Sequence, residues 1–136
     1  GRERDIIFKL DEILDFEGES GPYVQYSYAR GRSVLRKAAE LGIDWSKADL
    51  TLLGSDEEYA LVKHINNYRN TVRDAVTKHE PSVVDLAQYY NKFYNTCNVM
   101  KSDNELKLAR LVLTEAATVC IKSALYLIGV EVVEKM

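Results

Sequence analysis

Apolar residues recur at three- and four-residue steps in four successive stretches of this chain, and turn residues separate the stretches. Because a helix places residues three and four apart on one face, each stretch predicts an amphipathic helix with one buried side. No stretch alternates with period two for long enough to build a sheet, and no internal repeat is visible. The sequence therefore predicts an all-α fold, a helical bundle of four main helices.

Capping residues set the expected helix boundaries. Gly42 is expected to end the first helix, because glycine is common just beyond a helix C-terminus. Ser55 and Glu58 have the spacing of a capping box at the start of the second helix. With their caps included, the four helices are expected over residues 22–41, 55–78, 82–100 and 103–129.

The start of the chain differs in composition from the rest. Residues 1–20 are expected to form a connector, with a short helix near 11–15, ahead of a helical domain over residues 21–136. Since the chain starts at Gly1 inside a charged segment, we expect it to be a piece of a longer protein. Its 136 residues, 46% of them hydrophobic, suffice for one domain with its own core.

Several classes of protein do not fit this composition. No apolar run approaches the roughly 20 residues of a membrane span, and the charged start is unlike a signal peptide, so a cytoplasmic location is expected. Cys97 and Cys120 lack metal-type spacing and are expected to be buried free thiols rather than a disulfide. His64 and His79 are isolated and are expected on the surface or at helix ends. No catalytic residue and no metal ligand is assigned.

A second stripe on the first helix is the main indication of function. It runs along the helix beside the apolar stripe and contains Tyr23, Tyr26, Arg30, Ser33 and Lys37. Aromatic rings interleaved with cations suit a surface that stacks on unpaired bases and holds phosphates beside them. The net charge of −3 argues against a broad nucleic-acid coat, and an ordinary solvated helix face remains the alternative.

The aromatic residues are mostly tyrosine, nine against three phenylalanines. A buried tyrosine needs a partner for its hydroxyl, so some of these rings are expected at the surface. In the third helix Tyr90 and Phe93 fall on the apolar stripe and are assigned to the core. Tyr94 lies at the edge of that stripe, where core packing and ligand stacking are equally compatible with the sequence. For Tyr23 and Tyr26, contact with RNA or another partner is favoured.

Three separated segments resemble one known family. The run from Phe16 to Arg30 is similar, at the same spacing, to a motif of the C-terminal anticodon-binding domain of arginyl-tRNA synthetases. It reads Phe-Glu-Gly-Glu-Ser-Gly-Pro-Tyr-Val-Gln-Tyr-Ser-Tyr-Ala-Arg. Serine replaces the family's frequent threonine at position 20, and Ser27-Tyr28 replaces a frequent small residue and histidine. The same resemblance continues in the third helix and at the C-terminus, at Leu86-Ala87, Asn91, Phe93, Tyr94, Leu125, Leu127, Ile128-Gly129-Val130 and Met136.

The resemblance implies the fold of the helical anticodon-binding domains of class I aminoacyl-tRNA synthetases. It further implies a parent enzyme, an arginine–tRNA ligase that attaches arginine to its tRNA using ATP. The family's His-Ile-Gly-His and Lys-Met-Ser-Lys type motifs are absent from these 136 residues, so this piece alone is expected to be inactive. ATP and arginine would bind to the missing catalytic domain. The expected partners are an arginine tRNA and that catalytic domain, with no DNA and no membrane.

The resemblance also implies which side chains contact the anticodon. The matching positions are Tyr23, Tyr26, Arg30, Tyr94 and Met136 with its terminal carboxylate. No RNA contact is assigned to Arg110, which is expected to be a surface charge. A helical protein-interaction or oligomerisation module remains the alternative, because tyrosine and arginine are also favoured at protein interfaces. An independent small enzyme is disfavoured, since the sequence contains no catalytic constellation.

Overall fold

The computed structural model describes residues 21–73 and 83–127 of the chain. Within these ranges the chain forms α1 (Gly21–Glu40), α2 (Asp56–Arg73), α3 (Val83–Thr96) and α4 (Asn104–Leu127). A short 3₁₀ helix, Leu50–Leu52, lies in the connection between α1 and α2 and was not predicted. The described ranges contain no strand. The prediction of an all-α fold with four main helices is confirmed.

The third and fourth helices form the centre of the bundle. α3 and α4 contact each other, and each also contacts both α1 and α2. The predicted core residues Tyr90 and Phe93 are almost completely buried between them. At Gly31, α1 approaches this centre so closely that an added Cβ would overlap Thr118 and lie 3.2 Å from the Tyr90 hydroxyl. Glycine at this position therefore lets α1 pack directly on α3 and α4.

The first helix ends where the sequence predicts. Gly42 has a φ of +74°, a left-handed conformation that glycine adopts without steric cost. Its N–H donates to the Ala39 carbonyl at 3.0 Å, and the Ile43 N–H donates to the Ala38 carbonyl at 3.0 Å. These two bonds make a Schellman motif, which satisfies carbonyls that the helix end would otherwise leave without donors.

The second helix begins with the predicted capping box. The Ser55 N–H donates to Glu58 Oε1 at 2.9 Å, and the Glu58 N–H donates to Ser55 Oγ at 3.2 Å. Glu58 Oε2 also accepts a hydrogen bond from Arg110 Nε at 2.8 Å, and the carboxylate is buried. Burial alone would raise the pKa of the Glu58 carboxyl, but the hydrogen bonds from Arg110 and Ser55 and the Arg110 charge lower it overall. Arg110 is thus part of a largely buried ion pair between α2 and α4, and not the surface charge that was expected.

The third helix is shorter than predicted, ending at Thr96 instead of residue 100. After the last turn, Asn98 Oδ1 accepts a hydrogen bond from the Lys101 N–H at 3.3 Å, and the Ser102 hydroxyl donates to the Asn98 carbonyl at 2.7 Å. A side chain that bonds its own local backbone competes with continued helix, which explains the early end. Val99 still enters the core from this turn.

The fourth helix buries a broader face than the apolar stripe that its periodicity predicts. That stripe contains Leu106, Ala109, Val112, Leu113, Ala116, Cys120, Ala124 and Leu127. Its buried residues include Leu111, Ala117 and Ile121, which were not assigned to the core, because three other helices pack on α4. In contrast, Leu127 was assigned to the stripe and is 50% exposed. A periodicity argument assumes a single neighbouring surface, and that assumption is wrong for a central helix.

The cysteine prediction is confirmed, and the prediction for His64 is not. Cys97 and Cys120 are both buried free thiols, and burial raises the pKa of the Cys120 thiol to about 11. His64 is half-buried in the middle of α2 and stacks on Tyr89, with ring centroids 4.6 Å apart. Burial lowers the pKa of His64, although the nearby Asp85 carboxylate acts in the opposite direction.

Some predictions fall outside the described residues. These are the connector over 1–20 with its short helix, the end of the second helix near residue 78, His79, and the end of the fourth helix with the tail over 128–136. The boundary between connector and helical domain stays a prediction.

Candidate nucleic-acid interface

The predicted tyrosines of α1 are at the surface. Tyr23 and Tyr26 lie one turn apart on the outer side of the helix and are 38% and 46% exposed. The apolar stripe of the same helix, including Val24 and Tyr28, is buried against the bundle. The sequence of α1 therefore separates a core face from an aromatic outer face, as the periodicity predicts.

Arg30 joins the outer face of α1 to α3. Its guanidinium carbon lies 4.6 Å from the centroid of the Tyr26 ring and 4.3 Å from the centroid of the Tyr94 ring. The cation thus contacts both rings in cation–π geometry, and Nη2 also donates to the Tyr26 hydroxyl at 2.7 Å. We call Tyr26, Arg30 and Tyr94 the aromatic–arginine cluster.

A buried amide fixes the orientation of that guanidinium. Arg30 Nη1 donates to Asn91 Oδ1 at 2.9 Å, and Asn91 Nδ2 donates to Ser27 Oγ at 2.5 Å. The Ser27 hydroxyl in turn donates to the Tyr23 carbonyl at 2.8 Å. Ser27 and Asn91 are buried, and these hydrogen bonds satisfy their polar groups. The network holds Arg30 in one position before any ligand arrives.

Sequence reasoning did not identify the role of Ser27 or Asn91. Both residues appear in the segments that carry the family resemblance, but helical periodicity says nothing about a hydrogen bond between two helices. The sequence does contain one signal. Asn91 follows Tyr90 at the edge of an apolar stripe, and a carboxamide buried there needs hydrogen-bond partners.

Tyr94 rests on the core through Tyr90. The two ring centroids are 6.2 Å apart with the planes inclined at 46°, a common arrangement for packed aromatic rings. Burial raises the pKa of the Tyr90 phenol, and Tyr94 adds to this effect while Arg30 opposes it. Tyr90 is therefore a neutral buried support. Tyr94 is half-buried, so it both packs on the core and presents part of its ring to solvent.

A groove of about 1080 Å³ opens beside the aromatic–arginine cluster, which forms part of its wall. It runs between the C-terminal half of α1 and the turn from α3 to α4. We call it the basic groove, because its lining includes five cations, Arg30, Arg36, Lys37, Lys101 and Lys107. No carboxylate belongs to the described residues that line it.

The structure brings together three of the five predicted contact residues. Tyr26, Arg30 and Tyr94 form one cluster, whereas Tyr23 is exposed on the same helix but does not line the basic groove. Met136 lies outside the described residues.

The described ranges contain no group of three or more side chains arranged to hold a metal ion. None of the helices in those ranges has the length and apolar content to cross a membrane. The chemistry available at the cluster is stacking, hydrogen bonding and charge attraction.

The all-helical bundle with its tyrosine and arginine surface has the features of a helical anticodon-binding domain. Residues 24–136 match the family described as DALR anticodon binding domain. Because this match covers most of the chain, the chain belongs to that family.

Proteins similar to this chain are arginine–tRNA ligases. That of Clostridium kluyveri is 47% identical over 141 residues, with 99% of this chain and 25% of the relative covered. That of Clostridium acetobutylicum is 49% identical over 144 residues, covering 100% of this chain and 25% of the relative. The chain spans about a quarter of the length of these curated relatives.

Among solved structures, arginyl-tRNA synthetase of Thermus thermophilus is similar in fold and sequence. The TM-score is 0.68 at 31% identity, and the match covers 93% of this chain and 23% of the other.

Proposed function

We propose that this domain recognises the anticodon loop of an arginine tRNA. The observation that carries the proposal is the aromatic–arginine cluster, two partly exposed tyrosine rings with an arginine fixed between helices. Single-stranded loops offer unstacked bases, which bind by stacking on aromatic rings and on guanidinium planes. Family membership and the similarity to arginine–tRNA ligases support the choice of tRNA as the ligand.

In this mechanism Arg30 occupies the space between the two rings, so bases stack on the ring surfaces that Arg30 leaves open. Each stacked base contributes roughly 1–3 kcal/mol, and the fixed guanidinium adds attraction for the RNA without the cost of ordering a flexible side chain. Stacking supplies affinity for any base. Base identity needs hydrogen bonds to base edges, for which Met136 and Tyr23 remain the proposed additional contacts.

We propose the activity of the similar ligases for the longer protein: attachment of arginine to its tRNA using ATP. In this proposal a catalytic domain outside the 136 residues binds ATP and arginine, and the present domain is attached to it and positions the tRNA. A cytoplasmic location is consistent with the two buried free thiols, which a reducing compartment preserves.

The alternative is a helical module that binds a protein. Exposed tyrosines would serve such an interface as well. The fixed arginine between two rings and the adjoining groove lined by cations favour a polyanion with flat bases instead.

Tyr26→Ala tests the proposal. The variant should weaken binding of an arginine tRNA transcript by about 1–3 kcal/mol, since one stacking surface is lost. Because Tyr26 is largely outside the core, far-ultraviolet circular dichroism should show an unchanged helix content. Fluorescence anisotropy with labelled tRNA gives the affinity.

Tyr59→Ala is the matched control, because Tyr59 is 67% exposed on α2 and does not line the basic groove. It should bind tRNA like the unmodified chain. Equal losses in the two variants, or no loss for Tyr26→Ala, would contradict a stacking role for the cluster.

A further inference from the structure

We propose that the basic groove binds the phosphodiester backbone of the RNA strand that continues from the aromatic–arginine cluster, with Arg36, Lys37, Lys101 and Lys107 as the phosphate-binding side chains. This inference rests on the proposed recognition of an RNA loop and names a second contact region for the same ligand.

The groove is continuous with the cluster. Tyr26, Arg30 and Tyr94 line one part of it, so a nucleotide stacked on these rings has its sugar and phosphate at the edge of the groove. The eleven residue steps from Tyr26 to Lys37 correspond to about 16 Å along the axis of α1, at a rise of 1.5 Å per residue. A strand of RNA that leaves the rings in this direction therefore stays in contact with α1 beyond a single nucleotide.

Four of the five cations of the groove are available for a ligand. Arg30 is committed to Asn91 and Tyr26. Within residues 21–73 and 83–127, Arg36 donates only a long hydrogen bond of 3.3 Å, to the Ser33 hydroxyl. Among the described residues, no carboxylate pairs with Arg36 or with the three lysines of the groove. A surface that collects uncompensated positive charge on a chain of net charge −3 attracts a polyanion locally.

Apolar side chains between the cations favour a nucleotide chain over a free anion. Val34, Ile43 and Met100 line the same groove, and Leu41 at its edge is 64% exposed. These surfaces suit the apolar faces of ribose and base, which inorganic phosphate lacks. The tyrosine rings at the start of the groove favour RNA over an acidic peptide, because every base has a flat face that stacks on an aromatic ring.

The salt dependence of tRNA binding tests this inference. Each phosphate contact on single-stranded RNA steepens the dependence of log K on log salt concentration by about 0.7. The double variant Lys37→Gln and Lys101→Gln removes two exposed cations from opposite walls of the groove, so the slope should become shallower by about 1.4.

The control is Lys63→Gln with Lys122→Gln, which removes the same charge from exposed positions that do not line the groove. Its slope should equal that of the unmodified chain. Both variants are measured with an arginine tRNA transcript and with the same transcript carrying an altered anticodon.

A shallower slope for the groove variant alone supports the inference. Identical slopes for the two double variants overturn the groove as a phosphate site. If the unmodified chain still prefers the transcript with the correct anticodon, the proposal of anticodon recognition stands. If the unmodified chain binds both transcripts with equal affinity, the proposed function itself is overturned.

Discussion

Arg30 shows how a surface residue acquires a fixed position. Its guanidinium contacts two rings, and one of its nitrogens bonds a carboxamide that is itself held by a buried serine. Arginine suits this place because its planar fork can stack and donate in two directions at once, whereas lysine carries a compact charge on a flexible stem. The geometry therefore predicts that charge alone does not replace Arg30.

Arg30→Lys should weaken tRNA binding by about 1 kcal/mol, because the stacked cation between the rings is lost while the net charge is unchanged. Arg36→Lys is the control, since a cation that meets a phosphate as a point charge should tolerate the exchange. Isothermal titration calorimetry of both variants with tRNA measures the difference in binding free energy. Affinity like that of the unmodified chain for Arg30→Lys would contradict the role assigned to the guanidinium plane.

At the scale of single helices, much of the structure follows from local sequence. Gly42 ends α1, and Ser55 with Glu58 starts α2, because caps depend on residues a few positions apart. The exposed tyrosines of α1 follow from its periodicity in the same way. The predicted end of α3 was wrong. Helical periodicity does not indicate that the Asn98 side chain will bond the nearby backbone and so compete with further helix.

What the sequence could not supply are contacts between helices. The family resemblance named Tyr94, Tyr26 and Arg30 as contact residues. It did not indicate the hydrogen bonds of Ser27 and Asn91 beneath them. That network depends on how α1 and α3 are packed, which a one-dimensional pattern does not encode. The pairing of Arg110 with Glu58 was missed for the same reason.

The ion pair between α2 and α4 predicts a pH dependence of stability. The folded protein holds the pKa of Glu58 below its ordinary value of 4.5, so the ionised carboxylate stabilises the fold above that pH. The contribution is lost as the pH falls through the lowered folded value. Glu58→Gln should destabilise the protein by about 1–3 kcal/mol near neutral pH, and by less in acid. Urea unfolding over a pH series measures the free energy of unfolding.

Glu57→Gln removes the same charge one residue away and serves as the control, because the described structure gives Glu57 no ion-pair partner. Its effect should be small at every pH. A constant difference between Glu58→Gln and the unmodified protein down to about pH 3 would contradict the assigned stabilisation by the ionised pair.

At the scale of the whole molecule, the bundle separates its structural centre from the proposed binding region. α3 and α4 form the centre, and α1 packs on them through one face while its other face carries the tyrosines. The basic groove lies between the end of α1 and the turn after α3, so the packing of these elements sets the distance between its walls. The same arrangement holds the aromatic–arginine cluster and the groove next to each other on one side of the protein.

The most direct test of the central proposal is the affinity of the 136-residue chain for an arginine tRNA transcript and for the same transcript with a changed anticodon. Both titrations are made at the same salt concentration, because the affinity contributed by phosphate contacts depends strongly on salt. Anticodon recognition predicts weaker binding of the changed transcript by about 1–3 kcal/mol for each altered base, because the wrong base leaves hydrogen-bonding groups of the site without partners. Equal affinity for the two transcripts would contradict it.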